Sequence, residues 1–128
     1  MGTRIICLGN QDLSSDRYGH DTYTHLSKRG FKCSFCDSVD GFMHLMEEED
    51  APESIILIDA VRGLETTREI MPEELTNNPR TSLHDFDIGF FLRLKEALGE
   101  SIGYRIIGIP QRKITEDTID AVVRLIHQ

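Results

Sequence analysis

Asp16, Asp59 and His84 are the residues whose types and settings could do chemistry together, as two carboxylates and an imidazole. Converging on one edge of a sheet, such a set makes an open site for a transition metal, with coordination positions left for a substrate. Asp59 follows the apolar run Ile55-Ile56-Leu57-Ile58, so it emerges where a buried strand reaches a rim. It could equally cap a turn at Arg62-Gly63, since aspartate readily bonds nearby backbone amides. Asp16, after Ser14 and Ser15, is either a ligand or the cap of a first helix, where negative charge meets the positive end of the dipole. His84, in Ser82-Leu83-His84, stands at a helix start that disfavours positive charge, which keeps its imidazole in the neutral, metal-binding form. A packed or surface histidine is the alternative. His20, His25, His44 and His127 lack comparable context and read as structural, although His20 comes close to the same rim.

Those residues need elements to hold them. Residues 4–8 are apolar and branched and stop at Gly9-Asn10, a buried strand followed by a turn. A first helix runs from Ser15 or Asp16 to Arg29, where Gly30 supplies the stop. Residues 31–37 are a second strand and residues 39–48 a second helix, carrying Phe42, Leu45 and Met46 at helical spacing. Residues 54–60 are the clearest strand, apolar at successive positions and so buried on both faces. Residues 66–71 suit a short edge strand, closed by Pro72. The stretch 73–82, with Asn77-Asn78-Pro79, reads as a functional loop. Residues 84–98 form a helix with Ile88, Phe91, Leu94 and Leu98 along one stripe. Residues 104–109 are a further buried strand, and Thr115 caps a last helix bearing Ile119, Val122, Val123 and Ile126 on one face.

Strands alternating with helices imply βαβ units. The expected fold is a single α/β domain over residues 1–128, three-layer αβα, with a twisted, mainly parallel sheet of about five strands and one short antiparallel edge strand. In such sheets ligands sit beyond the carboxyl ends of the strands, which puts the Asn10 loop and Asp59 on one rim.

Composition closes off several classes of function. A length of 128 residues suits one domain with a core that needs no staples. The net charge of −8, from 14 basic and 22 acidic residues, argues against nucleic acid, which needs a basic patch. No apolar run is long enough to span a bilayer, and the amino terminus lacks a signal-peptide core, so the expectation is a cytoplasmic protein with no membrane partner. Three cysteines are an odd number, read as free thiols. Cys33-Ser34-Phe35-Cys36 has C-x-x-C spacing, but in a strand residues three apart point to opposite faces. Neither G-x-G-x-x-G, G-x-x-x-x-G-K-[ST] nor a G-x-S-x-G elbow is present.

Taken together, the three phrases resemble the hydrogenase maturation endopeptidases, which trim the carboxyl-terminal extension of nickel-iron hydrogenase large subunits. That family opens with a strand, a G-N turn and L-x-x-D-[DE]-x-x-G; this chain has Gly9-Asn10, Leu13, Asp16 and Gly19 in that register. A phrase like V-D-A-V is matched by Ile58-Asp59-Ala60-Val61, and S-x-H before a helix by Ser82-Leu83-His84. The resemblance implies that Asp16, Asp59 and His84 are both the metal ligands and the catalytic set. It implies that the metal is nickel supplied by the substrate, with cadmium or zinc as mimics. The partner it implies is a nickel-iron hydrogenase large-subunit precursor, processed by a monomeric enzyme. The chain departs from the family at Ser15, where an acidic residue is usual, at Arg17, and at residues 36–41, where a D-G-G-T phrase is missing. Those departures leave room for a family member that checks a metal centre without cutting. A rival from another class is a receiver-like domain with Asp59 as phospho-acceptor and Lys113 after the last strand, although Gly9-Asn10 stands where receivers carry an acidic pair.

Overall fold

A computed structural model describes residues 3–9, 17–37, 40–42, 44, 54–61, 63–71 and 103–128. Its elements are β1 (Thr3–Leu8), α1 (Arg17–Lys28), β2 (Cys33–Cys36), β3 (Ser54–Val61), β4 (Arg68–Ile70), β5 (Gly103–Pro110) and α2 (Glu116–Ile126). Asp40, Gly41, Phe42 and His44 are also helical, within the expected second helix. Asn10, Asp16, the expected loop 73–82 and the expected helix beginning at His84 lie outside the described residues.

Among the described residues the sheet has five strands in the order β2-β1-β3-β5-β4. β1 pairs in parallel with β2 and β3, and β3 in parallel with β5, while β4 is antiparallel to β5. The expected short antiparallel edge strand is therefore present. It also separates this sheet from the flavodoxin-like order 2-1-3-4-5 of receiver-type folds.

Why the sheet is buried on both faces follows from its strands. β1 and β3 present unbroken apolar runs, so alternate residues must be covered on opposite sides. On one face Ile5, Cys7, Ile56, Ile58, Ile107 and Ile109 pack against Leu26 of α1 and Ile119 and Val122 of α2. On the other, Ile6, Leu8, Leu57, Val61 and Ile106 pack with Phe42 and Ile70. Helices on both sides of one sheet make the expected three-layer arrangement. None of the helices among the described residues is long and apolar enough to cross a membrane.

α1 stops where Gly30 takes φ 93°, a conformation that glycine adopts without steric penalty. The Phe31 amide then donates to the Leu26 carbonyl at 3.0 Å and the Gly30 amide to the Ser27 carbonyl at 3.1 Å, a Schellman closure. This closure corrects the expected start of the second strand at residue 31: Phe31 serves the helix cap, and pairing begins at Cys33. Thr115 caps α2 as expected, in a reciprocal box with Thr118. The two helices are clasped by Arg29, whose guanidinium donates to Asp120 at 2.8 Å and to the Glu116 carboxylate at 2.5 Å. Arg105 ties β5 to β4 through Glu69 at 2.6 Å and to the end of α2 through the Leu125 carbonyl at 2.8 Å.

Candidate metal centre at the sheet's carboxyl rim

At the carboxyl end of the sheet β3 runs on after β1 has stopped pairing with it. The β1–β3 ladder runs from Thr3 opposite Ser54 to Cys7 opposite Ile58, while β3 continues against β5 through Asp59–Gly108, Ala60–Ile109 and Val61–Pro110. Asp59 is thus the first residue of β3 past its pairing with β1. The strand goes on past Asp59 for two more paired residues on the β5 side, one beyond the expected end at residue 60. A half-buried carboxylate at such a switch point can face a crevice between diverging strands.

On the β2 side the chain is fixed as it leaves the sheet. The Gly9 amide donates to the Cys36 carbonyl at 3.1 Å, extending the attachment of β1 to β2 by one residue. The chain then returns as α1 from Arg17, and the return is unusually close. A Cβ placed on Gly19 would lie 2.0 Å from the Leu8 carbonyl oxygen and 3.4 Å from the Gly9 Cα. Only glycine lets the first turn of α1 rest on the end of β1, so this contact fixes the amino end of the helix over the strand's carboxyl end. Asp16 is bonded directly to Arg17, the first residue of that helix.

Alternation puts Asp59 on the face of Leu57 and Val61, opposite the face of α1. Its register partner on β5 is Gly108, which has no side chain, and a Cβ there would run into Ile70 at 2.4 Å and Leu64 at 2.9 Å. Asp59 therefore lies beside an apolar cover at the rim rather than in open solvent. Among the described residues no three histidine, cysteine or carboxylate side chains form a group able to hold a metal. A three-ligand centre that uses Asp59 needs at least one ligand from outside them, and Asp16 and His84 both fall there.

Three of the remaining histidines, His20, His25 and His127, have defined neighbours. His20 packs edge-on to Phe35, with ring centroids 5.1 Å apart, and beside Tyr23 at 5.9 Å. His25 faces Glu116 at 3.5 Å, and His127 lies against Phe31 at 6.1 Å. Cys33 and Cys36 do fall on opposite faces. What the sequence reading did not bring out is that Cys33 shares its face with Cys7; the register of two parallel strands, which no local pattern specifies, creates that pairing.

No protein-family model and no curated protein sequence matches the chain. Solved structures do match along nearly its whole length. The endopeptidase HycI from Escherichia coli shares 18% identity at a TM-score of 0.67, covering 99% of this chain and 88% of that one. The [NiFe] hydrogenase maturation protease HybD from Thermococcus kodakarensis shares 20% identity at 0.60, covering 98% and 99%. The hydrogenase maturating endopeptidase HybD from E. coli shares 16% identity at 0.58, covering 99% and 91%. At these identities the likeness is one of fold, and the fold of this chain is that of the hydrogenase maturation endopeptidases.

Proposed function

We propose that the protein is a cytoplasmic, monomeric, metal-dependent endopeptidase that removes the carboxyl-terminal extension of a nickel-iron hydrogenase large-subunit precursor after nickel has been inserted. The observation that carries this reading is the Gly19 contact. It sets the helix that follows Asp16 on the carboxyl end of β1, beside the strand that bears Asp59, in a fold shared end to end with hydrogenase maturation proteases. Asp16, Asp59 and His84 supply the oxygen and nitrogen donors that suit a borderline divalent metal. The nickel arrives as part of the substrate, whose own ligands fill the remaining positions. Holding it would orient the precursor's tail and polarise a carbonyl or water for hydrolysis.

Calorimetric titration of nickel or cadmium into wild type and the Asp16→Ala, Asp59→Ala and His84→Ala variants tests the centre. Each substitution should weaken binding by at least about tenfold, and undiminished binding in all three would remove it. Incubation of nickel-loaded and nickel-free precursor with the protein then tests the reaction. Cutting of the loaded form alone is expected; equal cutting of both would overturn the reading of the metal. Binding of loaded precursor without cutting would identify a protein that checks the centre rather than one that cleaves.

A further inference from the structure

β3 ends in a turn that brings the chain back over the sheet. The Leu64 amide donates to the Val61 carbonyl at 3.2 Å, and Gly63 takes φ 84°, the left-handed value that the third position of a type II turn requires. The chain then leads into β4, whose Ile70 stands opposite Ile106 of β5. Leu64 is half-buried and Ile70 fully buried, and both pack with the Phe42 core, on the face of the sheet that carries Asp59.

These two side chains meet in the space over Gly108. A Cβ there would lie 2.4 Å from the Ile70 Cδ1 and 2.9 Å from the Leu64 Cδ2, so the two methyl groups already stand where a side chain at 108 would begin. Asp59 is the register partner of Gly108. Neighbouring strands lie about 4.8 Å apart, and paired residues project their side chains next to each other from one face. The Leu64 and Ile70 methyls therefore form a wall along the β5 flank of Asp59, in the place of its cross-strand neighbour. The two contribute differently. Ile70 belongs to the core, whereas Leu64 rides on the turn and can be changed without emptying the core.

We propose that Leu64, seated over Gly108 by the Gly63 turn, is a positioning residue that holds the Asp59 carboxylate in one conformer by walling its β5 flank. An aspartate on a strand has more than one staggered χ1 well open to it. Methyl groups in the cross-strand position crowd the wells that swing toward β5 and keep water from that side. A carboxylate already oriented gives up less rotamer freedom when it meets a metal, so the wall raises affinity without contributing a ligand. The gain in affinity rests on the reading of Asp59 as a ligand; the effect on its conformer does not.

Three-bond Hα–Hβ couplings of Asp59 in the metal-free protein read the conformer, and calorimetric titration of cadmium reads its consequence. Wild type should show the couplings of a single χ1 rotamer. Leu64→Ala should show averaged couplings and bind cadmium about tenfold more weakly. Leu64→Val, a gentler truncation, should move both readouts the same way, and Leu64→Met, which keeps the volume, should match wild type. Averaged couplings already in wild type, a single rotamer kept in both truncations, or wild-type cadmium affinity in both would overturn the proposal. So would a loss in Leu64→Met as large as that in Leu64→Ala. If wild type itself binds no cadmium, the metal centre is what fails, and the couplings alone decide for or against Leu64.

Discussion

At the scale of single residues, Gly19 and Asp59 do different kinds of work. Gly19 contributes by what it lacks: its missing Cβ leaves room for a backbone oxygen that cannot rotate away. Gly19→Ala should therefore move the start of α1 or strain it, costing about 1–3 kcal/mol in urea unfolding. It should also weaken nickel or cadmium binding in calorimetry, although alanine touches no ligand; full affinity in that variant would separate the helix seat from the metal centre. Asp59 was legible as a candidate because an acidic residue ends a four-residue apolar run. That β3 reaches Val61, one residue beyond the expected end, was not legible, because Val61 suits a strand and a turn approach equally well until β5 pairs with it. The importance of Gly19 showed only as a motif position, since the close approach it permits is to a residue in another element.

At the scale of elements, α1 is held at both ends by different means. Its amino end rests on β1, its last turn is anchored by fully buried Leu26, and Arg29, just beyond it, clasps it to α2. Truncating Leu26 to alanine opens a cavity between helix and sheet and should cost about 2–5 kcal/mol by chemical denaturation. The clasp is exposed and should matter far less. Its dependence on pH has a definite sign. Hydrogen bonding from Arg29 holds the Glu116 carboxyl below its usual range, so its contribution is complete above the ordinary carboxylate value and is lost as pH falls through the lowered one. Wild type should accordingly exceed Glu116→Gln slightly in melting temperature at pH 7, and the two should converge in strong acid. A gap that widened on acidification would show that Arg29 does not hold the carboxylate. Helix ends here were legible from Gly30 and Thr115, whose backbone roles are local. The delayed start of β2 was not, because the Schellman closure takes Phe31 from a run that looks like a strand.

At the scale of the whole molecule, a mainly parallel sheet with an antiparallel edge could be anticipated from alternating apolar segments, but the strand order could not. Placing β4 beyond β5 depends on the pairing of Arg68 with Gly108, residues that lie far apart in the chain. That topology puts one sheet between two cores, so neither core can lose its packing without exposing the sheet the other needs. Tyr104 reports on the Phe42 side, while Tyr18 and Tyr23 report on the α1 side. With no tryptophan to obscure them, tyrosine fluorescence from single-tyrosine variants and circular dichroism should give coincident urea transitions, as a single cooperative domain requires. A metal held jointly by Asp16, Asp59 and His84 binds only when the carboxyl rim is assembled, and so must stabilise that whole unit. Cadmium at about a hundred times its dissociation constant should then raise the unfolding free energy by about 2.7 kcal/mol in every probe alike. Asp59→Ala should abolish the increment while leaving the metal-free transition near its original midpoint. An increment confined to one set of tyrosines would mean that the rim and the core unfold separately, and an increment that survives Asp59→Ala would place the metal elsewhere.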